Sequence, residues 1–382
     1  MGWLSGWTYR KKITNSASSD QATWQASTAY SLGAVVRPTT PNGFWYQCET
    51  AGTSGSSEPT WPTTDQSTVT DGTVTWRAKR YYQVPFLIGE SSGASGYNLH
   101  LEGKSAIFPS GENQGGDLRF TASDGSTLLD FWVESVSGTS PNRLAKVWVE
   151  VPGDLSQKDI YCYFGNASAT NASNGSNAFL FFEDASGDLS KWTVISGTWE
   201  ISSGEIKHTG AGGDNIIKAN ITPPNNLAIH YKAKLSNVTS WPNVIAAAVR
   251  ANTSWNAGCN SDIRPADPTT TQRWSIQYWN GSNWVSLTGT NFTYSANTYY
   301  SVIFKLVGSS LKAWLNDANL LSATNSSFTS GLIVFRANCQ SGQYGYLDTI
   351  FVRNATANEP AFSSAGALET FNLGAMLLMF LG

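Results

Sequence analysis

The stretch GWTYRKKITNSASSDQATW (residues 6–24) starts in one pattern and ends in another. Residues 7–14, Trp-Thr-Tyr-Arg-Lys-Lys-Ile-Thr, read as an edge strand, with Arg10, Lys11 and Lys12 turned to water as protection against unwanted pairing. The chain then passes through Ser and Ala, and a turn-rich, Trp-centred pattern begins at Trp24. Strand sequence of the first kind resumes only at YYQVPFLIG (81–89), with apolar positions at Val84, Phe86 and Ile88. The expected arrangement is a guest module inserted at a hairpin tip, where both of its ends stay close together.

Outward from this break the same grammar continues. DLRFTASDGSTLLDFWVES (117–135) places two strands around Asp124-Gly125, KVWVEVPG (146–153) alternates cleanly, and DIYCYFGN (159–166) is a further strand. Short strands with regular turns and no convincing 3.6-residue period indicate a β-sandwich. The polar run NASATNASNGSN (166–177) precedes a second series of strands, among them LAIHYKAKL, NVIAAAVRA, RWSIQYWNGSNWVSL and GYLDTIFVRN. Asp71-Gly72 and Asn280-Gly281 are the strongest hairpin signals. The fold class expected is all-β: two β-sandwich (jelly-roll) domains in tandem, with a small β-rich module inserted in the first. The boundaries expected are 1–15 with 80–180 for the first sandwich, 16–79 for the insert, 181–360 for the second sandwich and 361–382 for an apolar tail. That tail carries Leu373, Met376, Leu377, Leu378, Met379, Phe380 and Leu381. It is far shorter than the roughly 20 residues of a membrane span, and too apolar to be left in water. It reads as a docking or homo-oligomer contact, with an edge strand of the domain as the plainer alternative.

Composition narrows the function. Of 382 residues 13% are charged and 13% aromatic, with 35 Gly and 16 Trp. A net charge of -3 without a marked Lys/Arg cluster argues against a nucleic-acid surface. The four cysteines, Cys48, Cys162, Cys259 and Cys339, lack zinc-ligand spacing, and a Cys259–Cys339 disulfide stays open. No transmembrane segment is expected, and the N-terminus has no apolar signal region, although the chain is extracellular in style.

Aromatic side chains beside hydrogen-bonding groups suit the two faces of a sugar. In the second sandwich the candidates are Trp241, Trp255, Trp274, Trp279 and Trp284, with Asn260, Asp262 and Arg264 in a segment (256–272) that reads as irregular loop. Each of these aromatics could equally be sandwich core. Glu183 and Asp184, with Asp348 from the closing strand, are candidate ligands of a structural calcium, beside the plainer reading of solvated loop acids. No other cofactor is expected. No paired-carboxylate strand, nucleophile elbow, His-Glu-x-x-His or P-loop is present, so no enzyme is expected.

WTYRKKIT, DLRFTASDGSTLLDFWVES, AKVWVEVP and IYCYFGNASATNASNGSNAFLFFED, in this order, resemble the domain-of-unknown-function 2341 family over residues 1–15 and 80–183. That resemblance implies a following concanavalin A-like lectin/glucanase domain of laminin-G type. Its opening would be Phe182-Glu183-Asp184-Ala185, and its close Val352-Arg353 to Glu359-Pro360. The insert, with Trp24, AYSLGAVV (29–36), WYQC (45–48), GTSGSSEPTWP (52–62) and DGTVTW (71–76), resembles a small chitin-binding-like module of the kind found in phage tail proteins. It implies sugar stacking on exposed aromatics. With Trp24 and Trp76 assigned to the core, Tyr30, Trp45 and Trp61 remain as candidates.

The function expected is that of a non-catalytic virion surface protein, of tail or fibre type, binding host cell-surface glycans. Its other partners would be virion proteins and further copies of itself. The alternatives are a secreted or cell-wall glycan-binding protein, a structural virion component without a ligand, and a glycoside hydrolase with an unrecognised site.

Overall fold

The strand Tyr9–Asn15 is not an edge strand. It runs antiparallel between Asp159–Phe164 and Phe362–Thr370. The structure, a computed structural model, describes residues 2–16, 21–91, 99–104, 115–153, 159–210, 212–252, 257–267 and 273–371. Arg10 and Lys11 are consequently buried rather than turned to water. Arg10 pairs with Glu369 at 2.7 Å and lies over the rings of Trp3 and Tyr161, while Lys11 pairs with Glu102 at 2.6 Å. The edge reading fails because the covering strand comes from the far end of the chain, where residue-level pattern gives no pairing information.

Among the described residues, the first sandwich has a five-stranded sheet in the order Leu128–Leu129, Arg119–Thr121, Asp159–Phe164, Tyr9–Asn15, Phe362–Thr370. It faces a four-stranded sheet of Leu99–His100, Tyr81–Gly89, Leu144–Pro152 and Phe131–Ser137. Alternate residues fill the space between them: Ile13, Phe120, Ile160 and Phe164 from one side, Val84, Phe86, Val133 and Val147 from the other. Two departures from the sequence reading follow. Residues 362–370 belong to this sandwich rather than to a free tail, so the first sandwich closes around the second. The chain also leaves one sheet at Asn15 and returns in the facing sheet at Tyr81, so the insert sits at a crossing between sheets and not at a hairpin tip.

The insert forms a five-stranded sheet ordered Gln21–Thr23, Val35–Arg37, Trp45–Thr50, Val74–Lys79, Thr68–Asp71, beside the pair Ala29–Tyr30 and Gly52–Thr53. Trp24, Tyr46, Cys48 and Trp76 make its small core. Asp71 is more than a turn residue: its carboxylate is buried and accepts hydrogen bonds from both indoles, Trp24 at 2.8 Å and Trp76 at 3.0 Å. The module is wedged against both sandwiches. Gln21 donates to Tyr82 and to the Gly153 carbonyl, Lys79 to Asn354 at 2.6 Å, and Gln47 to the Ala355 carbonyl at 3.0 Å.

The second sandwich pairs two large sheets. Among the described residues one has seven strands, ordered Trp192–Ser196, Asn215–Ala219, Leu332–Cys339, Asn243–Ala251, Gly258–Ile263, Trp274–Trp279, Trp284–Thr290. The other, of eight, includes Gly345–Asn354, Leu227–Leu235, Tyr300–Val307 and Ser310–Leu315. An aromatic cluster of Trp132, Trp148, Phe179, Phe182 and Phe351 joins the two sandwiches. All four cysteines are buried free thiols, so Cys259 and Cys339 are not bonded to each other. No helix among the described residues is long and apolar enough to cross a membrane.

Candidate functional site

Period-two alternation sorts the seven-stranded sheet into two faces. Cys259, Ile263, Trp274, Ile276, Phe335 and Ala337 enter the sandwich core. Their neighbours Asn260, Asp262, Ser275, Gln277, Arg336 and Asn338 therefore lie on the opposite face. Register aligns them in rows: Arg336, Ala246, Asp262 and Ser275 are successive cross-strand partners, as are Val334, Ala248, Asn260, Gln277 and Ser286. The segment carrying Asp262 is strand Gly258–Ile263 rather than loop, a correction that places its side chain on this face.

Small residues shape the floor. Ala246 and Ala248, from NVIAAAVRA, leave space above the middle strand. Across that space the Arg336 guanidinium comes within 5.1 Å of the Trp284 ring centroid. Three strands separate their own, about 19 Å at the usual spacing. The two side chains can meet only if this face is concave and they close over its floor. The Arg336 Nε forms an ion pair with Asp214 Oδ1 at 2.8 Å, and that oxygen accepts a hydrogen bond from Asn338 Nδ2 at 2.9 Å.

Under this cover Asn260, Asp262 and Gln277 are buried. Gln277 donates to Asp262 Oδ2. Among the described residues neither polar atom of Asn260 has a hydrogen-bond partner, nor have Asp262 Oδ1 and Asn338 Oδ1. Leaving such groups unpaired costs about 1–3 kcal/mol each. Burial pushes the Asp262 carboxyl up to about 6, against the pull of Arg336, Arg264 and the Gln277 hydrogen bond. The floor can exchange hydrogen bonds with a polyhydroxylated ligand, and the Trp284 indole offers an apolar face at its rim.

The sequence candidates divide accordingly. Trp279 and Trp284 come together, the two indoles with centroids 5.1 Å apart, and Asp262 lies on a neighbouring strand four positions along from their row, opposite Ser275. Arg264 closes one end of the row, locked to Asp267 at 3.0 Å and to Ser275 Oγ at 3.0 Å. Trp241, 39% exposed, precedes strand Asn243–Ala251 and accepts a hydrogen bond on its carbonyl from Gln340. Trp255 lies outside the described residues. Gln277, Ser275, Arg336, Asn338 and Asp214 were not singled out from sequence. The available signal was a lone Arg and Asn alternating with core residues in LIVFRANC.

In the insert the three candidates do not make one platform. Trp45 is fully buried, with its ring on Tyr82, because it anchors the module to the first sandwich; it is not available to a ligand. Trp61 packs on Tyr46 at 4.2 Å and donates to Glu58, and Tyr30 sets its edge against Trp76 at 4.8 Å; both stay partly exposed. The candidate calcium ligands are engaged otherwise. Glu183 is buried and accepts from the Ala185 amide and the Trp192 indole, Asp184 from Ser186, and Asp348 from Thr349. Among the described residues no group of three such side chains could hold a metal ion. Leu373, Met376, Leu377, Leu378, Met379, Phe380 and Leu381 lie outside the described residues.

Residues 114–195 match the family described as a domain of unknown function, DUF2341. No curated protein matches the chain. Solved structures similar to it include the carbohydrate binding module CBM66 from Bacillus subtilis, with 14% identity and a TM-score of 0.35 over 44% of this chain and 94% of that one. A protein of unknown function with a galectin-like fold from Bacillus subtilis aligns with 10% identity and a TM-score of 0.36, over 46% and 99%. The Emp47p carbohydrate recognition domain aligns with 8% identity and a TM-score of 0.35, over 44% and 90%.

Proposed function

We propose that the protein is a non-catalytic glycan-binding protein whose ligand lies on the concave face of the seven-stranded sheet. The observation that carries this reading is the buried polar floor of Asn260, whose side chain has no hydrogen-bond partner among the described residues, and Asp262, whose Oδ1 has none, on the sheet face that also carries Trp284. A sugar supplies both hydroxyls for such a floor and a C–H face for the indole. The setting we infer is a virion surface of tail or fibre type facing host glycans, supported by the likeness of the insert to phage-tail modules. The apolar segment 373–381 would then anchor the protein to virion partners or further copies, and repeated sites would raise avidity.

A glycan array probed with the wild type, Asn260→Ala and Trp284→Ala tests the reading. We expect the wild type to bind a defined set of glycans and both variants to lose it. Unchanged binding in both variants, or no binding by the wild type to any glycan, would remove the concave face from consideration. A hydrolase is the second reading, because Asp262 and Asp214 flank the same arginine. New reducing ends appearing in a bound polysaccharide would favour it.

A further inference from the structure

We propose that the groove between the inserted module and the eight-stranded sheet binds an anionic polysaccharide, independently of the concave face. The groove is a hollow of about 510 Å³. One lip is the insert segment from Tyr30 to Val35, and the other is the hairpin turn Val307–Ser310. Through Val307, Ser310 and Ala357 it continues into a second hollow of about 180 Å³, which reaches Lys305 and Lys312.

The lips are fixed rather than loosely apposed. They meet at two glycines in the left-handed region, Gly33 and Gly308, where a Cβ on Gly308 would stand 2.8 Å from the Leu32 carbonyl oxygen. The turn is held from beneath. Asn226 Oδ1 accepts from the Gly308 amide, and buried Arg250 donates to the carbonyls of Gly308, Phe328 and Asn225. Asn225 in turn donates its amide to Glu49 Oε2 and its side chain to the Glu49 carbonyl, tying the turn to the insert. A groove held in this way loses little conformational freedom when a ligand enters.

Its electrostatics select the ligand. No described residue lining either hollow is acidic. Lys305 and Lys312 are direct cross-strand partners, an arrangement that is unfavourable for like charges. One carboxylate, Glu359, serves both Lys305 at 3.0 Å and Arg353 at 2.9 Å, while exposed Lys312 makes no ion pair among the described residues. Burial lowers the Lys305 pKa, and Lys312 adds to the depression. An anion arriving beside Lys312 would relieve this repulsion. At the other end the half-buried Tyr30 and Leu32 present apolar surface to the C–H faces of sugar rings. A chain of carboxylated or sulfated sugars satisfies both ends.

The experiment measures binding of the full chain to polygalacturonate, dextran sulfate, neutral dextran and polyglutamate at near-physiological salt. The variants are Lys312→Glu and Ser309→Trp, the second placing bulk on the exposed rim, with Trp284→Ala as the concave-face control. We expect saturable binding to polygalacturonate, dextran sulfate or both, and none to dextran. Which of the two binds tells carboxylate from sulfate. Lys312→Glu should weaken it about tenfold; Ser309→Trp should weaken it too, and Trp284→Ala should leave it unchanged. Equal binding of polyglutamate would mean an acidic peptide site and overturn the proposal. So would polyanion binding that neither groove variant alters, or no polyanion binding at all. Unchanged concave-face binding by Lys312→Glu would show that the fold survives, so the two sites stand or fall separately.

Discussion

The indole of Trp45 lies flat on the ring of Tyr82, with centroids 4.4 Å apart and planes 4° from parallel. Trp45 belongs to the insert and Tyr82 to the first sandwich, so one stacked pair fastens guest to host. Trp45→Ala should cost about 3–5 kcal/mol, as for other large aromatics removed from a core. Differential scanning calorimetry should show a lower first transition. The glycan binding proposed for the concave face should persist below that temperature. A thermogram identical to the wild type would mean that the stack contributes nothing.

Asp262 is held protonated to about pH 6 by burial, against an ordinary value of 3.8. The folded state therefore binds this proton more tightly than the unfolded chain does. Its contribution to stability falls as pH rises from about 3.8 to 6, and above that the buried charge is a standing cost of order 3 kcal/mol. Asp262→Asn should be more stable than the wild type at pH 8 and no more stable at pH 3.5, in denaturant titrations at both values. It should at the same time change glycan binding, since the residue lines the floor.

Glu90 titrates the other way. Hydrogen bonds from Arg143 hold it down to about 2, with a 2.8 Å ion pair. The stability this supplies is complete above about pH 4.5 and is lost as pH falls toward 2. Glu90→Gln should flatten the melting-temperature decline across that window and be less stable than the wild type at pH 7. Parallel acid profiles for the two proteins would exclude Glu90 as a source of acid sensitivity.

Truncation after Ala361 tests the closing strand. It would strip one of the two pairing partners of Tyr9–Asn15 and leave buried Arg10 without Glu369. Truncation after Phe371 would leave that pairing intact. We expect the shorter chain to aggregate or melt well below the longer one in size-exclusion and thermal assays, because an uncovered strand edge seeks new partners. Equal behaviour of the two would mean that the strand is dispensable.

Replacing Asp71 by Ala orphans two buried indole N–H groups at once, at about 1–3 kcal/mol each. Asp71→Asn keeps an acceptor and should be milder. Tryptophan fluorescence during urea unfolding should rank the wild type above Asn and Asn above Ala.

The strands were legible because period-two alternation and Asx-Gly turns are local properties of a few residues, and so was the presence of two sandwiches and a small insert. The paired Trp279 and Trp284 announced themselves as candidates beside their hairpin, and Asp262 by its neighbourhood. Arg336 did not, since its approach to Trp284 spans three intervening strands and depends on the curvature of the sheet. Trp45 looked like a stacking platform and proved to be an anchor, because exposure is decided by what docks on a side chain.

Local chemistry thus wrote the all-β class, the turns and the buried face of each strand into the chain itself. Which strand lies beside which is a matter of contacts between residues hundreds of positions apart. Those contacts are chosen by the burial that the assembled sheets achieve together, so no window of sequence contains them. Hence the pairing of the first strand with Phe362–Thr370, and the wedging of the insert between two sandwiches, emerged only in three dimensions.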